Sequence, residues 1–287
     1  MIKIPFSVLR GICQMPAYAA SDKGFFEEEG LDVRLNVEPT AWMVPRRLAA
    51  GEIHFAVMPW TRVAAEPDRD RTMVLVAGAG IEEAAIVVRK GVALSDVRKV
   101  AVPRRGGIKD LTAMGLMESL GWADIECLRM PSGDGAILSL VGGGVDAASM
   151  VEPYATMLER LGIGTIVKRT GDVWPGAPGC SLTTTAGLIQ SEPGLVEKVV
   201  RAYVRGASFV LENPGESSEI AERYTGIGSG HIRAALEANR PDVDALRNSA
   251  AMTDILGLMR KLGYIADFPV RHLDLSFLDR AQKGSHA

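Results

Sequence analysis

The chain has 287 residues, 47% of them apolar, and a formal net charge of -3, which is long enough for two domains or one large one with substantial cores. So mild a charge balance, with no basic block, excludes the electrostatic footprint of a nucleic-acid binder. The apolar runs are broken by Gly, Asp or Arg well short of the roughly 20 residues of a membrane helix, so no membrane insertion is expected.

The N-terminal MIKIPFSVLRG enters strand-like sequence directly, without the basic region and apolar run of a signal peptide. The expectation is a cytoplasmic protein, or else a chain that begins after a removed signal. A loop holding Cys13 and Gln14 follows, then a helix-like segment ending at Gly24, which suits the left-handed conformation of a helix end. Phe25 and Phe26 are expected to anchor that turn to the core, with Glu27–Glu29 in solvent. After Gly30, the alternation of Leu31, Val33 and Leu35 predicts a second strand.

The next stretch, PTAWMVPRRLAAGEIHFAVM (39–58), overlies PSGDGAILSLVGGGVDAASM (131–150) at an offset of 92 residues. The identities are Pro39/Pro131, Leu48/Leu140, Gly51/Gly143, Ala56/Ala148 and Met58/Met150, and each copy runs on to a Pro-aromatic pair, Pro59-Trp60 and Pro153-Tyr154. The segments before them match in type, since IKIPFSVLRG and RKVAVPRRGG are each a short β-rich run ending in a Gly-containing loop. Each half therefore reads strand, loop, helix, strand, helix, strand, the alternation of parallel βαβ units. Between the halves, MVLVAGAG and EEAAIVVRKG predict two strands, the second crossing from one lobe to the other. SLTTTAGLIQ, after Cys180, is strand-like and placed for a return crossing. Helices follow; Ser191 is a good cap, and positions 195, 196, 199, 200, 203 and 204 fall on one apolar face.

PAYAASDKGFFEEEGLDVRL, LAAGEIHFAV, LVGGGVDAASMVEPY and SEPGLVEKVVRAYVRGASFVLENPGE together resemble the solute-binding proteins of nitrate, sulfonate, taurine and thiamine-precursor ABC transporters. The resemblance runs in order over about residues 3 to 225. It implies an α/β fold of the type II periplasmic-binding-protein kind, with two similar lobes, two crossing strands and a ligand cleft between the lobes. Lobe one is expected at 1–86 plus 184–287, and lobe two at 87–183. The implied partners are a small-molecule ligand and an ABC permease with its ATPase. Enzymes share this fold. A desulfinase of sulfur metabolism is similar in its N-terminal part and uses a cysteine in the loop after the first strand, where Cys13 lies here, but its accompanying His and Arg find no match. The His- and Cys-rich pattern of yeast-type pyrimidine synthases is absent.

Ligands of open α/β sheets sit outside the carboxyl ends of the strands, so the loops there supply the candidates. RRGGIKD, with Arg104, Arg105, Gly106, Gly107 and Lys109, is placed to receive an anion at a helix start, or else is a solvated basic turn. Trp42, Trp60 and Tyr154 offer aromatic walls for a planar ligand, or core packing. Thr40 and Ser132 occupy equivalent positions as hydrogen-bond donors, or as helix caps. Glu152 suits an amine or ribose-like group, or a structural role. In the first loop Cys13 and Gln14 are candidates, Cys13 being a nucleophile only if its setting lowers the thiol pKa, and otherwise a small buried hydrophobe. Cys13, Cys127 and Cys180 lie far apart with no CxxC spacing, which argues against zinc; no metal or cofactor is expected. The expected function is binding of a small organic solute, a sulfonate-like anion or a planar heteroaromatic, for import. A lyase or desulfinase built on Cys13 and a cytoplasmic ligand sensor are the alternatives.

Overall fold

The computed structural model describes residues 1–67, 72–105, 108–130 and 133–284. Its strands are β1 (Ile2–Val8), β2 (Leu31–Val37), β3 (Phe55–Pro59), β4 (Met73–Gly78), β5 (Ala84–Arg89), β6 (Lys99–Pro103), β7 (Glu126–Met130), β8 (Ala147–Val151), β9 (Gly164–Arg169) and β10 (Cys180–Thr185). They form two five-stranded sheets, in the orders β2-β1-β3-β10-β4 and β7-β6-β8-β5-β9. The helices of the first half are α1 (Met15–Asp22), α2 (Phe25–Glu28), α3 (Val44–Ala49) and α4 (Trp60–Ala64). Those of the second are α5 (Ile108–Ser119), α6 (Gly133–Val141) and α7 (Tyr154–Arg160). The C-terminal part adds α8 (Ala186–Ser191), α9 (Pro193–Glu212), α10 (Pro214–Thr225), α11 (Ser229–Ala235), α12 (Ser249–Lys261) and α13 (Ser276–Gly284).

The duplication is visible in the pairing. β1 runs parallel to β2 and β3, and β6 runs parallel to β7 and β8. The spans of β3 and β8 match residue for residue at the offset read from the sequence. In each sheet the remaining pairs are antiparallel: β10 lies between β3 and β4, and β5 between β8 and β9. The chain thus leaves the first sheet after β4, enters the second as β5 and returns as β10. The two crossing segments touch at an antiparallel bridge between Ile81 and Pro178. Both faces of each sheet are covered, which is why the strands read as near-continuous apolar runs. One cluster packs Phe6, Phe55 and Leu182 against Tyr18 of α1 and Tyr203 of α9, and a second packs Trp60 and Leu75 against α12.

Two local expectations change. In SLTTTAGLIQ only the first part is strand; Thr185 accepts a hydrogen bond from the Leu188 amide at 3.2 Å and starts α8, because a capping hydroxyl gives the following residues a helical alternative to the ladder. Gly24 takes the left-handed conformation, φ +74°, and Phe26 is buried. The acidic run after it is not simply solvated. It forms α2, and Glu28 and Glu29 reach Arg205 and Arg201 of α9 at 2.6 and 2.7 Å.

The apolar face anticipated on α9 is buried at all six positions. It meets α1 so closely that a Cβ at Gly206 would stand 2.1 Å from the Pro16 carbonyl oxygen. Gly206→Ala is therefore expected to lower stability by about 3 kcal/mol through overpacking against backbone. Urea unfolding at unchanged slope measures it, and a loss below about 0.5 kcal/mol contradicts this contact. No helix among the described residues is long and apolar enough to cross a membrane.

Candidate functional site

The carboxyl ends of the parallel strands of both sheets open onto one cleft of about 1020 Å³, counted out into the open solvent at its mouth. From the first sheet come Leu9 and Arg10 after β1, Glu38 to Trp42 after β2, and Pro59 and Arg62 around the start of α4. From the second come Pro103 and Arg104 after β6, Met130 and Asp134 around the start of α6, and Ser149 to Val151 with Tyr154 at the end of β8. The six strand ends that the duplication pairs are the six that line this space.

Its charge is predominantly positive. Arg10, Arg62 and Arg104 face two acids, Glu38 and Asp134. Glu38 is already engaged, accepting from the Ser7 hydroxyl at 2.7 Å and pairing with Arg47. Arg62 stands apart because its Nε is buried with no hydrogen-bond partner among the described residues. Burial lowers its pKa, with the Asp110 carboxylate opposing, so its charge is incompletely compensated. The Ser149 hydroxyl, also on the cleft wall, is buried and likewise unpartnered among the described residues. A desolvated cation and a hydroxyl on the walls of one cleft are chemistry that an anion with several acceptor oxygens satisfies.

The walls are aromatic. Trp42 is 46% exposed, and the Arg104 guanidinium lies over its ring at 5.3 Å, a cation–π pair. Tyr154 is half-buried; burial raises its pKa, Arg10 opposes and Asp134 adds, so its phenol stays protonated as a donor at neutral pH. Thr40 fills both roles read from the sequence. It lines the cleft, and its hydroxyl caps the turn Ala41–Met43 by accepting from the Trp42 amide at 3.4 Å.

Thr40, Trp42, Arg104 and Tyr154 are thus brought together, while the other candidates stand elsewhere. Trp60 has 0% exposure and donates its indole N–H to the Pro178 carbonyl at 2.9 Å; it is core, because the first turn of α4 points it behind the strand and turns Arg62 to the cleft. Gln14 is buried behind the first loop, where its Oε1 accepts the Leu9 amide at 3.0 Å and steadies the backbone that carries Arg10. Glu152, 1% exposed, caps α7 by accepting from the amide and hydroxyl of Thr156 and pairs with Arg169 at 2.5 Å. Arg105 is exposed and is not among the described residues that line the cleft. Gly106, Gly107, Ser132 and the Lys109 side chain lie outside the described residues. Cys13 is 5% exposed and sits behind the cleft wall. A hydrogen bond with Cys180 works to lower its pKa, but burial and the Glu83 carboxylate outweigh it and hold the thiol above its ordinary value. That is the opposite of a reactive thiolate's setting. Arg10, Arg62 and Ser149 escaped the sequence reading; only their nearness to strand ends marked them.

The model of the NMT1-like family matches residues 3–225. The chain belongs to the NMT1-like family. No curated protein matches this NMT1-like chain by sequence. Among solved structures, the ligand-binding component of an ABC-type import system from Staphylococcus aureus, with zinc bound, superposes with a TM-score of 0.86 at 17% identity, covering 98% of this chain and 99% of that one. The periplasmic nitrate-binding protein of Synechocystis gives 0.81 at 14% identity over 99% and 89%. The alkanesulfonate-binding protein of Xanthomonas axonopodis, bound to MOPS, gives 0.75 at 13% over 98% of each chain. The NMT1-like protein therefore has the two-lobed periplasmic-binding-protein fold that the duplicated sequence implied.

Proposed function

We propose that the protein binds a small organic anion of the sulfonate class in the interlobe cleft and presents it to an ABC permease and ATPase, in the periplasm. The observation that carries this reading is Arg62, a partly desolvated cation whose Nε has no partner among the described residues, in a cleft also lined by the Ser149 hydroxyl, likewise unpartnered among them. Trp42 and Tyr154 would flank the organic part of the ligand, which also suits a planar heteroaromatic bearing an acidic group. The nitrate- and sulfonate-binding proteins of like fold lend support, and the burial and raised pKa of Cys13 favour binding over catalysis. Lobe one is taken as 1–86 plus 184–287 and lobe two as 87–183, bending at the two crossings.

Native mass spectrometry of the purified protein identifies any retained ligand. Calorimetry against alkyl and aryl sulfonates, nitrate and uncharged heteroaromatics then ranks the classes. Sulfonates are expected to bind, with a measurable contraction in small-angle scattering as the lobes close. Binding by uncharged heteroaromatics alone, or by none of these, defeats the proposal.

A further inference from the structure

Behind the cleft, where the two crossings leave the first sheet, the fold gathers three donors from distant parts of the chain. Cys13 comes from the loop after β1, Glu83 immediately precedes β5, and Cys180 begins β10. Their sulfur and carboxylate atoms lie within 4.8 Å of one another, and the residues are 5%, 4% and 1% exposed. The Cys180 thiol points at Glu83 Oε1 over 3.8 Å, while Glu83 Oε2 is buried with no partner among the described residues. Among the described residues no Lys or Arg pairs with Glu83. A buried carboxylate so placed is costly unless a cation neutralises it.

The surroundings fit a cation held by sulfur. Gln14 donates from Nε2 to Cys13 Sγ at 3.2 Å, and its orientation is fixed by the Leu9 amide on its carbonyl oxygen. A donor aimed at sulfur is the outer-shell contact a thiolate ligand uses. The Tyr203 hydroxyl is also buried and unpartnered among the described residues, and burial, with Cys13 and Cys180 adding, raises the pKa of its phenol. Backbone closes the pocket: a Cβ at Gly179 would stand 2.6 Å from Glu83 Oε2, and one at Gly80 would be 3.3 Å from the Cys13 Cβ. Metal–sulfur bonds of about 2.3 Å in tetrahedral array put two sulfurs about 3.8 Å apart, inside the observed spread.

We propose that Cys13, Cys180 and Glu83 form a resident site for a borderline-soft divalent cation of the zinc class at the junction of the two crossings. Two thiolates and one carboxylate select such an ion over calcium or magnesium. Loading forms two metal–sulfur bonds and one metal–oxygen bond and releases the two thiol protons to solvent; no electron moves. The ion ties both crossings to the loop that carries Arg10 into the cleft. CxxC spacing could not reveal this site, because each ligand lies on a different element.

The test uses the full chain, reduced and stripped with a chelator, titrated with Co²⁺. The expected result is a sulfur-to-cobalt charge-transfer band that saturates at a single equivalent and is replaced on adding Zn²⁺. It should survive Cys127→Ser, vanish in Cys13→Ser and Cys180→Ser, and need at least about tenfold more metal in Glu83→Gln, the lower end of what loss of even an outer-shell partner costs. Should the cysteine variants misfold, wild type decides alone. Native mass spectrometry must show one zinc less two protons, and calorimetry in buffers of differing ionisation enthalpy must show two protons released. Absence of the band, its persistence without Cys180, or zinc uptake without proton release overturns the site. None of these readouts depends on the anion in the cleft.

Discussion

Arg62→Gln is expected to weaken binding of a sulfonate ligand by about 2–3 kcal/mol, roughly 30- to 150-fold, the worth of a charge-assisted hydrogen bond in a dry site. Calorimetry on folded variant and wild type measures it. The free protein should unfold at an unchanged temperature or slightly above, since burial outweighs the Asp110 carboxylate and already disfavours the charge on Arg62. Arg62→Lys restores a charge but not the Nε donor, and so should fall between the two. Ser149→Ala, which removes the buried hydroxyl on the cleft wall, should cost about 1 kcal/mol of affinity. A loss below twofold in Arg62→Gln would show that the anion, if bound, sits elsewhere in the cleft.

Replacement of Trp60 separates core from wall. Trp60→Ala should lower stability by about 4 kcal/mol, within the range for a large buried aromatic, because the ring is fully buried and its N–H serves the Pro178 carbonyl. Trp60→Phe keeps most of the packing and leaves that carbonyl without its donor, at about 1–2 kcal/mol, with ligand affinity held within about twofold. Urea denaturation and ligand titration on the same samples give both numbers. If Trp60→Phe instead lost affinity while stability held, the indole would belong to the ligand site. Trp42, exposed at the cleft mouth beneath Arg104, should behave in the opposite sense.

The contrast between these tryptophans marks how far the sequence could be read. Both follow strand ends, and nothing in their local sequence separates them. The turn after β2 lets Trp42 project into the cleft, while the first residue of α4 is rotated into the core and its third, Arg62, is turned outward. Helix phase at a loop junction depends on what packs behind it, which here is a crossing segment more than a hundred residues away. Glu152 shows the same limit: its place beside Tyr154 suggested the cleft, but Arg169 and Thr156 hold it.

What the sequence determined by itself was the alternation of strands and helices, the duplication with its offset, and hence two sheets whose strand ends share one cleft. Those features are written in periodicity and in glycine punctuation, which are local and survive without knowledge of neighbours. Tertiary structure decided the antiparallel seating of β10 between β3 and β4 and of β5 between β8 and β9, the choice of Arg62 over Trp60 at the cleft, and the meeting of Cys13, Glu83 and Cys180. Each of these is a coincidence in space between segments distant in the chain, and packing alone brings such segments together.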